Sequence, residues 1–117
     1  MGTLVLWGFG AASFGVIAYL GATGRLPRNR WAGMRTKATM ASDESWAAGH
    51  RASAPATAVA GVLTLVAGVA DAVTSFDYIT QRRVTLAVGV VILVIVCIGG
   101  IQADRAARAA THRRRSR

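Results

Sequence analysis

Three long runs without a charged residue set the limits on this chain. Between Met1 and Arg25 lie 23 such residues, between Arg51 and Asp71 19, and between Arg83 and Asp104 20. A helix that crosses a bilayer needs about 20 apolar residues, at roughly 1.5 Å rise each over about 30 Å of hydrocarbon. Soluble helices of this length keep a polar face for water, and these runs have almost none. The expected fold is therefore an all-α membrane domain with three transmembrane helices. The spans fall at about 3–23, 53–73 and 84–103, separated by a loop at 24–52 and a link at 74–83, and followed by a basic tail at 104–117.

The runs differ in character. Val84–Ile101 is dense in β-branched residues, and Thr3–Ala22 is nearly as apolar. Ser53–Val73 is rich in Ala, Ser, Thr and Gly, which suits a central helix whose neighbours approach closely. Pro55 is expected near that helix's first turn, where a missing N–H costs little. The first run has no basic residues ahead of it, so it does not read as a cleavable signal peptide. Leu6 breaks the myristoylation pattern. Cys97 is the single cysteine and forms no internal disulfide.

Charge orients the spans. The 24–52 loop carries six basic residues, the 74–83 link two and the tail six. Basic residues stay on the cytoplasmic side, which predicts an external N-terminus with the loop and tail inside. Trp7, Phe76 and Tyr78 then fall near the outer boundary, and Tyr19, Trp31 and Trp46 near the inner one, where amphipathic rings settle. Asp71 lies at the outer end of the second span, where pairing with Arg82 or Arg83 is expected. Such basic blocks also attract anionic lipid headgroups, the expected partner of the tail in preference to nucleic acid.

The loop is the one long polar segment between spans. Gly24 and Pro27 end the first helix, and Asn29 and Gly33 permit positive φ. A short interfacial helix is expected next, running on toward the second span. Ser42 is its N-cap, with Asp43 and Glu44 in the first turn against the positive end of the dipole. Trp46 and His50, four apart, share one face, with Trp46 anchoring it at the interface. Asn29, Arg35, Thr36, Thr39, Ser42, Trp46 and His50 form the candidate polar site, against the alternative of a basic connector capped by Thr and Ser. Arg35 is its leading residue, since a planar five-donor fork can bridge loop carbonyls or grip a partner's carboxylate.

The segment NRWAGMRTKATMASDESWAAGHR resembles the signature of the SdpI family of small bacterial membrane proteins. The elements that carry the resemblance are Asn29, Gly33, Arg35, Thr36, Thr39, Ser42, Trp46, His50 and Arg51, and with flanking spans it covers roughly 5–103. The resemblance implies a multi-pass protein of the bacterial inner membrane. The family's namesake confers immunity to a secreted peptide toxin and signals by holding a transcriptional repressor at the membrane. This chain is short and carries only the core region.

Other chemistries fit poorly. His50, His112 and Cys97 lack metal-ligand spacing, so no metal and no cofactor is expected. A triad of Ser42 or Ser45 with His50 and Asp43 would have to form within one helical stretch, and no enzyme is expected. The glycines are scattered through the spans and make no phosphate-cradling loop. Two functions remain: a binding and signalling module whose loop engages a regulator or peptide toxin, or an accessory subunit of a larger membrane complex.

Overall fold

The computed structural model describes residues 2–117. It is all-helical, with α1 at Gly2–Ala22, α2 at Asp43–Val73 and α3 at Tyr78–Arg115, and one turn of 3-10 helix at Thr39–Ala41. Each of the three α-helices is long and apolar enough to cross a membrane. They run up, down and up, so the loop, the start of α2 and the end of α3 meet at one end of the molecule, here termed the basic end.

The small-residue helix is central. Both α1 and α3 pack on α2, and among the described residues they do not pack on each other. Glycines make the approach possible. A Cβ at Gly68 would lie 2.8 Å from Trp7 Cβ, and one at Gly61 would lie 3.2 Å from Phe14 Cβ. On the other side, a Cβ at Gly49 would lie 3.0 Å from the Ala103 carbonyl. In lipid such contacts stabilise by van der Waals packing, because tails and side chains are equally apolar. Thr57 and Thr64, both buried on α2, donate to the carbonyls of Ser53 and Ala60 and so need no partner across the interface.

The end of α1 is a Schellman turn. Gly24 has φ +71°, Arg25 N–H donates to the Leu20 carbonyl at 2.8 Å, and Gly24 N–H to that of Gly21 at 3.4 Å. Gly33, at φ +103°, is the other described residue with positive φ. Asn29 does not join them: its side chain makes the turn instead.

Several expectations need correction. The short interfacial helix is not a separate element: the stretch from Asp43 to Arg51 is the start of a 31-residue α2 that continues to Val73. Pro55 therefore lies well inside the helix, where its ring removes the N–H that would bond the Arg51 carbonyl. The 74–83 link shortens to Thr74–Asp77, because Asp77 caps α3 by accepting from the N–H groups of Ile79 and Thr80. Asp71 pairs with neither Arg82 nor Arg83; it accepts from Gln81 Nε2 at 2.6 Å, one turn into α3.

The tail is also ordered. At 38 residues α3 spans about 57 Å, more than the roughly 40–45 Å of a whole bilayer with its headgroups. Its last turns leave the membrane as helix and pack on the start of α2. Ala103, Ala107 and Ala110 face inward and are buried, while the arginines between them point out.

Candidate functional site

At the basic end the loop folds back onto α2 instead of spreading over the surface. The start of α2 is set by Ser42, whose Oγ accepts the Ser45 N–H at 3.1 Å, with Asp43 and Glu44 in the first turn. One and two turns on, Trp46 and His50 stack, their ring centroids 4.1 Å apart. Both rings reach into the loop.

Trp46 is 1% exposed, and its indole Nε1–H donates to the Leu26 carbonyl at 2.9 Å. This corrects its expected role as a lipid-interface anchor. The ring supplies the apolar bulk under the loop, and its one polar atom holds the loop's first residues. His50 is 3% exposed. Its Nε2 accepts the Met34 N–H at 2.8 Å, so Nδ1 carries the proton and donates to the Trp46 carbonyl at 2.9 Å. Burial pushes the His50 imidazole below its ordinary range, against a smaller opposite effect of the Trp46 carbonyl. Gly33 is what lets the loop come this close: a Cβ there would collide with His50 Nε2. Met34 also reaches α3, since its Cε would sit 3.2 Å from a Cβ placed on Gly99.

The remaining polar motif residues knit the loop to itself. Asn29 Oδ1 accepts the N–H groups of Trp31 and Ala32, both at 2.8 Å, while its Nδ2 donates to the Pro27 carbonyl at 2.8 Å. Thr39 is fully buried; its hydroxyl donates to the Met34 carbonyl and accepts the Thr36 N–H, both at 2.8 Å. Thr36 Oγ1 returns the bond by accepting the Thr39 N–H at 3.2 Å. Among the described residues no buried side-chain nitrogen or oxygen lacks a partner. Arg35 is exposed, and its Nη1 donates to the Arg30 carbonyl, which holds the guanidinium by one edge.

The sequence motif thus divides into two groups. Asn29, Gly33, Thr36, Thr39, Ser42, Trp46 and His50 come together to shape and hold the loop. Arg35 and Arg51 stand at its surface. Arg28, outside the motif, bridges the Met40 carbonyl at 3.0 Å and Asp43 at 3.1 Å. That ion pair is open to water and worth at most about 1 kcal/mol.

One part of the site was missed in the sequence. Ser42 Oγ–H donates to Ser45 Oγ at 2.9 Å, Ser45 is 2.9 Å from Thr111 Oγ1, and the Thr111 hydroxyl donates to the Ala107 carbonyl at 3.1 Å. A hydroxyl seam therefore ties the cap of α2 to the far end of α3. The signal was the spacing of Ala103, Ala107, Ala110 and Thr111, hidden among arginines. Asp104, on the same stretch of α3, accepts from Arg108 Nε at 2.7 Å within the helix. The nearby Thr36 hydroxyl, and then Arg108, favour the ionised form and hold its carboxyl below the usual carboxylate range.

A family model described as the SdpI/YfhL protein family matches residues 25–101. The chain belongs to that family. The match takes in the whole held loop, α2 and the membrane part of α3. It starts after α1 and stops before Ala103, a narrower range than the 5–103 expected, so the hydroxyl seam's α3 side lies beyond it. No curated protein and no solved structure matches the chain. Membership of the SdpI/YfhL family together with three membrane-length helices makes this a multi-pass membrane protein. Among the described residues no three His, Cys, Asp or Glu side chains cluster to hold a metal.

Proposed function

We propose that this SdpI/YfhL protein is a binding and signalling module of a bacterial cell membrane, in peptide-toxin immunity or a related regulatory response. The distribution of basic residues supports an orientation with the N-terminus outside and the held loop in the cytoplasm. There the loop engages a protein partner.

The observation that carries this reading is the state of Arg35. Its guanidinium is held by the Arg30 carbonyl, on a loop fixed to α2 by Trp46 and His50, and the residue is otherwise exposed. A planar fork held in place loses little freedom when it grips a carboxylate with two parallel bonds. A basic connector needs only charge, and lysine would serve as well.

The test is complementation of a deletion strain, with the amount of membrane-inserted protein measured alongside. Arg35→Lys is expected to insert normally and to lose the cellular phenotype, while Lys37→Arg keeps it. A fully active Arg35→Lys variant contradicts the reading.

A further inference from the structure

Of the motif residues with polar side chains, Arg51 alone makes no side-chain hydrogen bond or ion pair among the described residues. It is exposed, and it sits where the apolar run of α2 begins, the position at which a helix of this pattern is expected to enter the hydrocarbon. Its Nη2 lies 3.2 Å from the place a Cβ would take on Gly24, so the glycine of the Schellman turn gives it room over the end of α1. Four residues on, Pro55 leaves the Arg51 carbonyl without its usual helical donor.

Below Arg51 an open apolar groove of about 660 Å³ runs between α1 and α2. Its walls are small residues, among them Ala11, Gly15, Ala18, Ala58 and Gly61, with Tyr19 beside the mouth. From Ala22 to Ala11 the groove follows α1 for roughly 16 Å, about half the thickness of the hydrocarbon layer. An unpaired guanidinium thus stands at the headgroup end of a slot that is apolar, exposed to the bilayer and one leaflet deep.

We infer that Arg51 and this groove form a binding site for one anionic phospholipid of the leaflet at the basic end. The phosphate lies against the guanidinium, which can offer it two parallel N–H donors. One acyl chain fills the groove between α1 and α2. The headgroup hydroxyls of phosphatidylglycerol can also donate to the freed Arg51 carbonyl. A bound lipid would brace the end of α1 against α2 beside the held loop. The inference does not depend on the loop having a protein partner.

Native mass spectrometry of the delipidated full chain, titrated with phosphatidylglycerol or phosphatidylcholine of matched acyl chains, tests the site. The wild type is expected to retain the anionic lipid about fivefold better, as one basic residue at the surface contributes. Arg51→Gln should remove most of that preference, while Arg25→Gln should not. A Cβ at Gly15 meets no protein atom within 4 Å and Gly15 lines the groove, so Gly15→Leu puts its side chain into that space and should lower retention of both lipids. Gly100 is equally open but lies on α3 away from the groove, and Gly100→Leu should change nothing. Equal retention of both lipids by the wild type overturns the site, as does an Arg51→Gln variant that keeps the preference. Undiminished retention by Gly15→Leu overturns it too. So does a wild-type dimer that Gly15→Leu converts to monomer without loss of lipid, since the groove would then hold a second copy of the chain.

Discussion

His50 Nε2 accepts the backbone N–H of Met34 at 2.8 Å, and the opposite ring nitrogen donates to the Trp46 carbonyl at 2.9 Å. The two bonds require a neutral ring protonated at Nδ1. A second proton would turn Nε2 into a donor facing the Met34 N–H. Burial resists that proton, so the folded pKa lies below the ordinary 6.5. The unfolded loop binds the proton more readily, so the contribution is present above pH 6.5 and is lost as pH falls through the lowered folded value. Nitrogen NMR of the imidazole should show the Nδ1–H tautomer and a titration midpoint below 6.5. Loop stability should fall with acid over that window, and His50→Leu should flatten the dependence. Asp104 acts separately, because its lowered carboxyl loses its contribution only below about 3.8.

Packing along α2 gives a second expectation. A Cβ at Gly68 runs into Trp7, whereas a Cβ at Gly89 meets nothing within 4 Å. Gly68→Leu should lower the denaturant midpoint in detergent or lipid, by about 1–3 kcal/mol, as overpacking does. Gly89→Leu should lie within about 0.5 kcal/mol of wild type. Equal effects would contradict the central placement of α2.

The hydroxyl seam makes the end of α3 part of the fold. Ser45 is fully buried, and Thr111 is its acceptor across the helix pair. Thr111→Val should cost about 1–3 kcal/mol, because the Ser45 hydroxyl is left without that partner. Adding Ser45→Ala should restore part of the loss. Replacing Arg113, Arg114 and Arg115 by lysine should leave stability unchanged, which separates packing from charge.

Much of this architecture was legible in the residues. The uncharged runs gave three spans, Ser42 with its two acids gave the start of α2, and the i, i+4 spacing put Trp46 and His50 on one face. Gly24 and Gly33 were legible as backbone positions. What could not be read was direction. An amphipathic ring near a membrane boundary suits a lipid interface, yet Trp46 turned inward because the loop folds over it and offers the Leu26 carbonyl. Asp71 had two arginines in reach by sequence, but the helical start at Tyr78 carried both past it and brought Gln81 alongside. In the tail, dense charge masked an apolar stripe whose one-carbon side chains are too small to register as hydrophobic pattern. The candidate site was found as a set of residues, and its division into those that hold the loop and those that face outward needed the fold.

The motif holds the basic loop in one fixed shape. Residue-resolved amide hydrogen exchange in lipid nanodiscs measures this directly. The N–H groups of Trp31, Ala32, Met34, Thr36 and Thr39 are each bonded to a side chain of Asn29, His50, Thr39 or Thr36, and all five should be protected. Gly33→Ala forces a Cβ against His50 at a φ that side chains rarely adopt, a backbone cost of about 1–3 kcal/mol. It should speed exchange at Met34 and across the loop while the amides of α2 beyond Ser53 stay as slow as in wild type. Protection in the wild type with collapse in Gly33→Ala is the expected outcome. Free exchange at Met34 and Thr36 in the wild type, at rates of an unstructured peptide, would contradict it.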